Sequence, residues 1–338
     1  MTIAADSPDA TAMANREVVV DVQDLHVAFP RGRGREVSVV NGVSFSLRRG
    51  EALGIVGESG SGKTITSLSL LGLVPRPGIV RAGRIVVDGI DVAELDERRW
   101  PAIRGKNVSM VFQDALSGLN PVRSVGSTLT EAISRHQDVG AKEAKQLAIK
   151  AIAAVGIPDP EARFDLYPHQ LSGGLRQRVM IALALVNRPG VVIADEPTTA
   201  LDATIQAQIL ELLGELITDA GLILITHDLG VAAAVCDRIA VMYGGRFVEI
   251  GPVDNVLSEP QHPYTAGLLE AVPRFRPERA PLVPIPGAPP APERMPPGCA
   301  FAPRCSRALD KCANDVPALE GAPDHPVACW NPVSIGPT

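Results

Sequence analysis

The sequence predicts an α/β domain with a mostly parallel sheet, followed by a proline-rich connector and a small cysteine-bearing tail. Three observations lead to this prediction. Short segments rich in Val, Ile and Leu alternate with segments of helical periodicity, which is typical of a parallel sheet covered by helices on both faces. A glycine-rich loop, Gly57–Thr64, separates one such strand from a helix that begins at about Lys63. The composition changes after Val272, where prolines accumulate.

The predicted strands are bounded by turn residues. They are Val18–Phe29, Ser38–Leu47, Ala52–Val56, Arg84–Val87, Asn107–Phe112, Val191–Ala194, Leu222–Ile225 and Ile239–Tyr243. The segment Arg31–Arg35, rich in glycine and arginine, is predicted to be a flexible turn. Residues 142–155 carry apolar side chains at helical spacing, which indicates a helix within a helical insertion that spans about residues 115–185.

The bulk composition is that of a globular protein. Of the 338 residues, 46% are hydrophobic and 21% are charged, which allows a sizeable core. The formal net charge of -6 lacks the basic surplus usual in nucleic-acid-binding proteins, so no nucleic-acid partner is expected. No apolar run approaches the roughly 20 residues that span a bilayer, and residues 1–17 lack the features of a signal peptide. We therefore predict a disordered leader over residues 1–17 and a cytosolic chain, unless a partner holds it at a membrane.

The loop after Val56 matches the phosphate-binding P-loop pattern. It reads Gly57-Glu58-Ser59-Gly60-Ser61-Gly62-Lys63-Thr64. The glycines allow backbone N–H groups to close around phosphate oxygens at a helix N-terminus. In this pattern Lys63 reaches the β- and γ-phosphates of a nucleotide, and Thr64 binds Mg²⁺. The alternative, a glycine-rich turn with a chance lysine, is disfavoured by the flanking strand and helix.

The apolar strand Val191–Ala194 runs into two carboxylates. Asp195 at the strand end is placed to hold Mg²⁺, directly or through water, and Glu196 to orient and deprotonate an attacking water molecule. Alone, this short motif would equally fit a buried strand followed by an acidic turn. Its position downstream of a P-loop favours the catalytic interpretation.

A second candidate anion site lies at the start of another predicted helix. Ser172, Gly173 and Gly174 precede a helix that begins near Leu175, where N–H groups are free and the helix dipole favours an anion. An N-capped helix after a turn is the structural alternative. Two phosphate sites in one chain would make sense if each served a different nucleotide.

The order of these motifs resembles that of the ABC ATPase family over about Val18 to Val272. The motifs are the P-loop, Gln113, Leu171–Gly174 (the signature loop), Asp195-Glu196, Ala200-Leu201-Asp202 and His227. The resemblance implies an ABC cassette with a RecA-like P-loop core, an antiparallel β subdomain and a helical subdomain. It also implies that ATP and Mg²⁺ bind, and that two cassettes pair head to tail. The signature loop of one cassette would then cover the γ-phosphate on the P-loop of the other.

The resemblance assigns roles to four further residues. Gln113 would sense Mg²⁺ and the γ-phosphate and touch a membrane subunit, and His227 would contact the γ-phosphate. Their structural alternatives are a polar strand end and a structural histidine. Asp202 would lie at the seam between the cassettes, where it could also cap a helix. Phe29 is the candidate for stacking on adenine, with a core position as the alternative.

Narrower features resemble the ATPases of oligopeptide, dipeptide and nickel importers. These features are Leu119-Asn120-Pro121, Tyr167-Pro168-His169-Gln170, Arg176–Ala182, His262-Pro263-Tyr264-Thr265 and the C-terminal extension. The resemblance implies a peripheral subunit on the cytoplasmic side of the cell membrane, bound to two transmembrane permease subunits and to a second ABC ATPase subunit. An extracytoplasmic binding protein would deliver the peptide.

Other functions stay open on the sequence alone. Nickel or another small solute is the main alternative cargo, and an iron- or redox-sensing ABC ATPase is suggested only by the tail. ABC ATPases of DNA repair carry a long coiled coil inside the cassette, and those of translation carry two cassettes. The short separation of the P-loop from Asp195 and the single set of motifs disfavour both of these classes.

The C-terminal part predicts a connector and a metal site. Ten prolines between Pro273 and Pro297 indicate an extended connector over residues 273–298. The tail, residues 299–338, contains four cysteines in the spacing C-x5-C-x6-C-x16-C, namely Cys299, Cys305, Cys312 and Cys329. Four cytosolic thiols favour zinc or an iron–sulfur cluster over a disulfide framework.

The wide spacing of the cysteines bears on the choice of metal. Structural zinc usually has closer cysteine pairs, so the spacing favours a larger cluster, while zinc and unmetallated thiols or disulfides stay open. The resemblance to the peptide-importer extension implies a 4Fe–4S cluster with a structural or regulatory role. The fifth cysteine, Cys236, follows an apolar helical segment and is predicted to be a small buried residue.

Overall fold

The computed structural model of the chain describes residues 16–32, 34–114, 118–199, 201–271 and 284–333. Nearly all of the predicted leader, the first part of the proline-rich connector, residues 334–338 of the tail and Ala200 lie outside the described residues.

Thirteen strands form in the described part of the chain. They are β1 (Val18–Arg31), β2 (Arg35–Arg48), β3 (Ala52–Val56), β4 (Ile79–Arg81), β5 (Arg84–Val87), β6 (Ile90–Asp91), β7 (Val108–Val111), β8 (Val191–Asp195), β9 (Gly221–Thr226), β10 (Arg238–Tyr243), β11 (Arg246–Pro252), β12 (Glu320–Ala322) and β13 (His325–Val327). Strands β3 and β5 have the predicted bounds, and the other predicted strands differ only at their ends. The sequence analysis missed β4, β6 and β11–β13, most of which are too short to show a periodicity.

Ten α-helices lie in the same described ranges. They are α1 (Lys63–Leu70), α2 (Trp100–Ile103), α3 (Val125–His136), α4 (Ala141–Ala154), α5 (Pro160–Phe164), α6 (Gly173–Leu185), α7 (Ala203–Leu216), α8 (Leu229–Val235), α9 (Val253–Ser258) and α10 (Pro263–Ala271). Helix α1 begins at Lys63, as predicted, and α4 matches the predicted helix to within one residue at each end. None of the described helices is long and apolar enough to cross a membrane.

The main sheet has eight strands among the described residues, in the order β12-β13-β11-β10-β3-β9-β8-β7. The five strands from β10 to β7 are parallel, and β11 pairs antiparallel with β10. Strands β8 and β9 are buried along their whole length, as expected for central strands with helices on both faces. This sheet is the predicted α/β core.

A separate antiparallel sheet has the order β2-β1-β5-β6, with β4 also paired to β1. Strands β1 and β2 form a long hairpin in which Arg31 pairs with Arg35, so the predicted turn is a hairpin connection. Buried residues of this sheet, such as Val22 and Leu47, pack in one cluster with Leu53 and Ile55 of the main sheet. The sheet is the antiparallel β subdomain that the resemblance implied.

Helices α3 to α6 form the helical insertion. Ser124 caps α3 by accepting the backbone N–H of Ser127 (3.2 Å). Leu129 and Ile133 of α3 are fully buried and belong to the same core cluster as Ile152 of α4 and Ile181 of α6. These apolar faces join the insertion to the main sheet, which positions the N-terminus of α6.

The C-terminal residues return to the main sheet through β13, where Val327 pairs with Glu249 of β11. The carboxylate of Glu249 is fully buried and accepts hydrogen bonds from His325 Nε2 (2.8 Å) and from the backbone N–H groups of Gln261 (2.8 Å) and His262 (2.9 Å). A buried carboxylate requires such partners. The contacts therefore hold the C-terminal residues and the start of α10 against β11.

Candidate nucleotide-binding site

The P-loop and the predicted catalytic residues lie where four neighbouring parallel strands end. The P-loop follows β3, His227 follows β9, Asp195 ends β8, and Gln113 comes shortly after β7. The carboxyl ends of parallel strands open at one edge of a sheet, which is where α/β proteins bind ligands. Residues far apart in the sequence therefore meet at this edge. Thr64 contacts Asp195, which lies 131 residues later, and Glu196 contacts His227, which lies 31 residues later.

The P-loop adopts a conformation that only glycine accommodates at two positions. Gly60 and Gly62 have φ values of +80° and +106°. A side chain at Gly62 would meet Val39 O at 2.9 Å, and one at Gly57 would meet Met242 O at 2.2 Å. The loop is thus packed tightly against its neighbours on one side, while Ser59, Gly60 and Thr64 are exposed on the other.

The backbone of Ser61 forms hydrogen bonds that hold the P-loop in shape. Its N–H donates to Glu58 O (3.2 Å), and its carbonyl accepts the N–H of Gly245 (2.9 Å). The hydroxyl of Ser61 is buried and has no hydrogen-bond partner in the described structure. The predicted contact of Ser61 with phosphate stays a prediction.

Lys63 is buried at the centre of the loop. Its ammonium donates to Gly57 O (2.7 Å) and Glu58 O (3.0 Å). Burial lowers the pKa of the Lys63 ammonium, and the nearby carboxylates of Glu196, Asp195 and Glu58 oppose this shift. The ammonium is thus a desolvated charge inside the loop, suited to an anionic ligand.

Asp195 and Thr64 form the predicted magnesium pair. The Thr64 hydroxyl donates to Asp195 Oδ1 (3.3 Å). Burial raises the pKa of the Asp195 carboxyl, and the hydrogen bond from Thr64 lowers it in part. A cation that arrives with a nucleotide would stabilise this buried carboxylate, and hydroxyl and carboxylate oxygens are ligands that Mg²⁺ accepts.

Glu196 lies at the centre of a polar cluster. Its two carboxylate oxygens contact Gln113 Nε2 (3.2 Å), Thr199 Oγ1 (2.9 Å) and His227 Nδ1 (3.1 Å). The backbone of Glu196 has a positive φ of 44° and its N–H donates to Ile225 O (2.9 Å), so the side chain is aimed by the end of β9. The other two predicted catalytic residues, Gln113 and His227, therefore both contact Glu196, and the sequence analysis missed the contact of Thr199 with the same carboxylate.

The signature loop lies in a different cleft from the P-loop. Ser172 caps α6 by accepting the N–H of Leu175 (3.4 Å), and Gly174 packs so closely on Ile205 that a side chain would meet it at 2.9 Å. A cleft of about 610 Å³ is lined by Ser172, Gly173, Gly174 and Asp202, but by no P-loop residue. The two predicted anion sites of this chain are thus separate.

Asp202 and Phe29 have structural roles in the described chain. Asp202 caps α7 by accepting the N–H groups of Thr204 (3.1 Å) and Ile205 (3.0 Å), as its structural alternative predicted. Phe29 is half-buried on β1 and packs against the core that both sheets share. Their predicted contacts with nucleotide stay predictions.

The four cysteines of the tail are buried or half-buried. Burial first, and then the neighbouring thiols of Cys299, Cys305 and Cys312, raise the pKa of the Cys329 thiol to about 11. Burial also raises the pKa of Cys299 and Cys305, and each of these two thiols is further affected by Cys312. All of them are free thiols, so no disulfide pairs them in the described residues.

This arrangement gives no support to a site for a single metal ion. Within the described ranges, no group of three or more His, Cys, Asp or Glu side chains is arranged to hold a metal ion. Neither the predicted 4Fe–4S cluster nor the zinc alternative finds support in this arrangement. The fifth cysteine, Cys236, is buried at the end of α8, where its sulfur would lie 3.1 Å from a side chain placed at Gly54, and burial raises its pKa. The prediction that Cys236 is a small buried residue is confirmed.

Two family models match the chain. Residues 40–199 match the family described as ABC transporter. Residues 248–312, which include three of the four tail cysteines, match the family described as the C-terminal region of oligopeptide/dipeptide transporters. The second match begins within β11 and ends before β12.

Individual relatives agree with both family models. The chain is 49% identical to a dipeptide transport ATP-binding protein, DppD, of Bacillus subtilis, over 93% of this chain and 95% of the relative. It is 45% identical to an oligopeptide transport ATP-binding protein, OppD, of Salmonella typhimurium, over 98% and 99% of the two chains. Among solved structures, the ATP-binding cassette MJ0796, dimeric and bound to ADP and Pi, superimposes with a TM-score of 0.61 at 26% identity, covering 69% of this chain and 98% of that one. This chain belongs to the family of ATP-hydrolysing subunits of the oligopeptide and dipeptide ABC transporters.

Proposed function

We propose that this chain powers the import of peptides by hydrolysing ATP on the cytoplasmic face of the cell membrane. It would act with a second ABC ATPase subunit and two permease subunits, and an extracytoplasmic binding protein would supply the peptide. The observation that carries this proposal is the contact of Glu196 with Gln113 and His227 beside a P-loop, since this is the geometry that ATP hydrolysis requires. The identity of 49% to a dipeptide transport protein supports peptide as the cargo.

The P-loop and its neighbours would bind MgATP. The buried ammonium of Lys63 would exchange its two carbonyl acceptors for phosphate oxygens, and the exposed backbone of Ser59 and Gly60 would border the phosphates. Thr64 and Asp195 would hold Mg²⁺, with Gln113 close to it, and Phe29 would stack on adenine. The metal would supply positive charge against the charge that develops on the transferred phosphoryl group.

Glu196 would act as the general base in this site. Its carboxylate already accepts three hydrogen bonds, so it is held in one orientation at the sheet edge. In that orientation it would accept a proton from the attacking water, while His227 and Gln113 would contact the γ-phosphate side of the reaction. Thr199 would keep the carboxylate in place as a positioning residue.

The signature loop would serve the nucleotide of a partner cassette. Ser172, Gly173 and Gly174 line a cleft separate from the P-loop, and the N-terminus of α6 offers N–H groups to an anion. Pairing two cassettes head to tail would bring each signature loop over the other's P-loop. Asp202, at the border of the same cleft, would then lie at the seam between the cassettes.

Replacing Ser172 with Arg tests this pairing. We expect Ser172→Arg to reduce the ATPase activity of the assembled transporter by roughly 100-fold, because a bulky cation fills the place of the partner's γ-phosphate. ATP binding to the P-loop of the same chain should be unchanged. Turnover and nucleotide affinity are measured on the same preparation.

Ser172→Ala is the matched control, since it removes the helix cap without blocking the cleft and should cost only about 1 kcal/mol of stability. Full turnover of Ser172→Arg in the complex would contradict the head-to-tail pairing.

The permease subunits would dock beside Gln113. A groove of about 360 Å³ lies between the main sheet and the helical insertion, and its lining includes Leu73, Phe112 and His136. Leu73 and Phe112 are large hydrophobic side chains that remain exposed. A groove of this kind, one residue from Gln113, would let a helix of a membrane subunit sense the state of the nucleotide.

We propose the domain organisation predicted from the sequence. Residues 18–272 would form the cassette, with the helical subdomain at about 115–185, and residues 299–338 would form a cysteine-rich tail after the connector 273–298. The helices α3 to α6 support the bounds of the helical subdomain.

The tail would hold a 4Fe–4S cluster. Two of the cysteine sulfurs accept backbone N–H groups, Cys312 from Leu309 (3.4 Å) and Cys329 from Asn331 (3.4 Å). Such N–H donors stabilise thiolates, and hydrogen bonds to sulfur are typical of iron–sulfur sites. Four thiols could complete one such cluster, and their wide spacing in the sequence favours it over zinc. The cluster would be structural or regulatory, because the hydrolysis of ATP needs no redox centre.

Metal analysis tests the cluster directly. We expect anaerobically purified protein to contain about four iron atoms and equal acid-labile sulfide per chain, because four thiolates complete one cubane. Cys312→Ser should lower both contents and leave the ATPase motifs intact. Stoichiometric zinc without labile sulfide would contradict the proposal of a cluster while leaving that of the ATPase untouched.

A further inference from the structure

A side chain of the cysteine-rich region reaches the nucleotide site. Arg304 lies in the single 3-10 turn Ala302–Arg304 between Cys299 and Cys305. Its guanidinium forms a bidentate pair with the carboxylate of Glu58, through Nη1 (2.8 Å) and Nη2 (3.1 Å). Glu58 is the second residue of the P-loop and lies 246 residues earlier in the chain.

The Arg304 side chain is held in one position. It is only 6% exposed, its Nε donates to Pro286 O (2.9 Å), and its Nη1 also donates to Tyr243 Oη (3.2 Å). The guanidinium carbon lies 5.8 Å and 5.9 Å from the ring centres of Tyr243 and Phe301. A guanidinium held by four neighbouring residues has a fixed position, unlike a mobile surface charge.

Glu58 also contacts Lys63, the lysine proposed to bind phosphate. The carbonyl of Glu58 accepts Lys63 Nζ (3.0 Å) and the N–H of Ser61 (3.2 Å). Its own N–H donates to Tyr264 Oη (2.9 Å), and the Tyr264 ring packs against Phe301 with their centres 5.4 Å apart. One P-loop residue is thus held at its side chain by Arg304 and at its backbone by Tyr264, and it in turn orients Lys63.

The pair also changes the charge that a nucleotide meets. The carboxylate of Glu58 is close enough to Lys63 to raise the pKa of its ammonium. Without a partner, this partly buried carboxylate would repel the phosphates of ATP and attract Lys63 away from them. The guanidinium of Arg304 neutralises it.

We propose that Arg304 is a positioning residue of the nucleotide site, through which the cysteine-rich region sets the conformation and charge of the P-loop. The inference rests on the proposed binding of ATP at the P-loop. It adds that the turn Ala302–Arg304, far away in the sequence, supports that binding. Coupling between two sites is reciprocal, so bound nucleotide should also stabilise the turn that carries Arg304.

Nucleotide affinity of the full-length chain tests the proposal. We expect Arg304→Met to weaken MgATP binding on the order of tenfold, and Arg304→Lys to recover part of the loss. In the assembled transporter, KM for ATP should rise while kcat changes little, because the arginine does not touch the reacting atoms. Arg307→Met is the matched control, since Arg307 lies in the same region but its side chain contacts Asn331 and Pro332. The Arg307→Met chain should bind MgATP with the affinity of the wild type.

A double-mutant cycle distinguishes positioning from general stability. In the Glu58→Gln background, Arg304→Met should cost much less affinity, because the unpaired carboxylate is gone. Equal losses in both backgrounds, or wild-type affinity in Arg304→Met, would overturn the proposal. The wild type and Lys63→Ala separate this inference from the proposed function. If the wild type binds no ATP, the proposed function fails. If Lys63→Ala loses ATP affinity and Arg304→Met does not, only this inference is refuted.

Hydrogen exchange on the wild type needs no variant. MgATP should slow amide exchange in the turn Ala302–Arg304 by several-fold, while the helix α4, which is not part of the site, should change little. Unchanged exchange in the turn at saturating MgATP would also overturn the proposal.

Discussion

Replacing Glu196 with Gln is expected to slow ATP hydrolysis by roughly 10²- to 10⁴-fold while ATP still binds. The amide keeps the shape of the side chain and can retain part of its contacts with Gln113, Thr199 and His227. It cannot accept the proton of the attacking water. Bound ATP should therefore accumulate and hold the two cassettes together.

The measurement is single-site turnover in the assembled transporter, together with the fraction of closed cassette pairs at saturating MgATP. Glu211→Gln is the matched control, because Glu211 is an exposed carboxylate on α7. The transporter with this variant should hydrolyse ATP at the wild-type rate. Wild-type turnover in Glu196→Gln would show that another group takes the proton.

Replacing Lys63 with Ala is expected to remove most nucleotide binding. A hydrogen bond from a charged donor contributes about 1.5–3 kcal/mol, which corresponds to a loss of roughly 10- to 100-fold in affinity. The ammonium is also the group that ties the carbonyls of Gly57 and Glu58 together, so the loop itself should loosen. Equilibrium binding of a fluorescent ATP analogue gives the affinity.

Lys150→Ala is the control for loss of a lysine, since Lys150 is exposed on α4 and distant in sequence from each site motif. Thermal unfolding of both variants without nucleotide shows whether either change disturbs the fold. An unchanged affinity in Lys63→Ala would contradict the role of the P-loop in binding phosphate.

The contacts of Glu196 could be predicted from the sequence because they follow from topology. Gln113, Glu196 and His227 each come at or after the end of a strand rich in Val, Ile and Leu, and parallel strands place their carboxyl ends together. The tight fit of Gly57 and Gly62 could be expected from the P-loop pattern. The contact of Thr199 with Glu196 could not be predicted, because a threonine three residues after a glutamate forms no recognisable motif.

The contact of Arg304 with Glu58 had no signal in the sequence. Both residues are charged, one lies in a loop and the other in a short turn, and the two are 246 residues apart. No hydrophobic period or turn chemistry links such positions. The pairing of β13 with β11 was missed for a similar reason, because a contact between Val327 and Glu249, far apart in the sequence, is decided by tertiary packing.

The most direct test of the central proposal is peptide uptake by the reconstituted transporter. Vesicles that contain the two permeases, this chain and its partner ATPase should accumulate a labelled oligopeptide only with the peptide-binding protein and with ATP on the face that carries this chain. Uptake should stop when Glu196→Gln replaces the wild type, and nickel should not replace peptide. Peptide uptake that continues with Glu196→Gln, or ATP-driven uptake of nickel but not of peptide, would contradict the proposal.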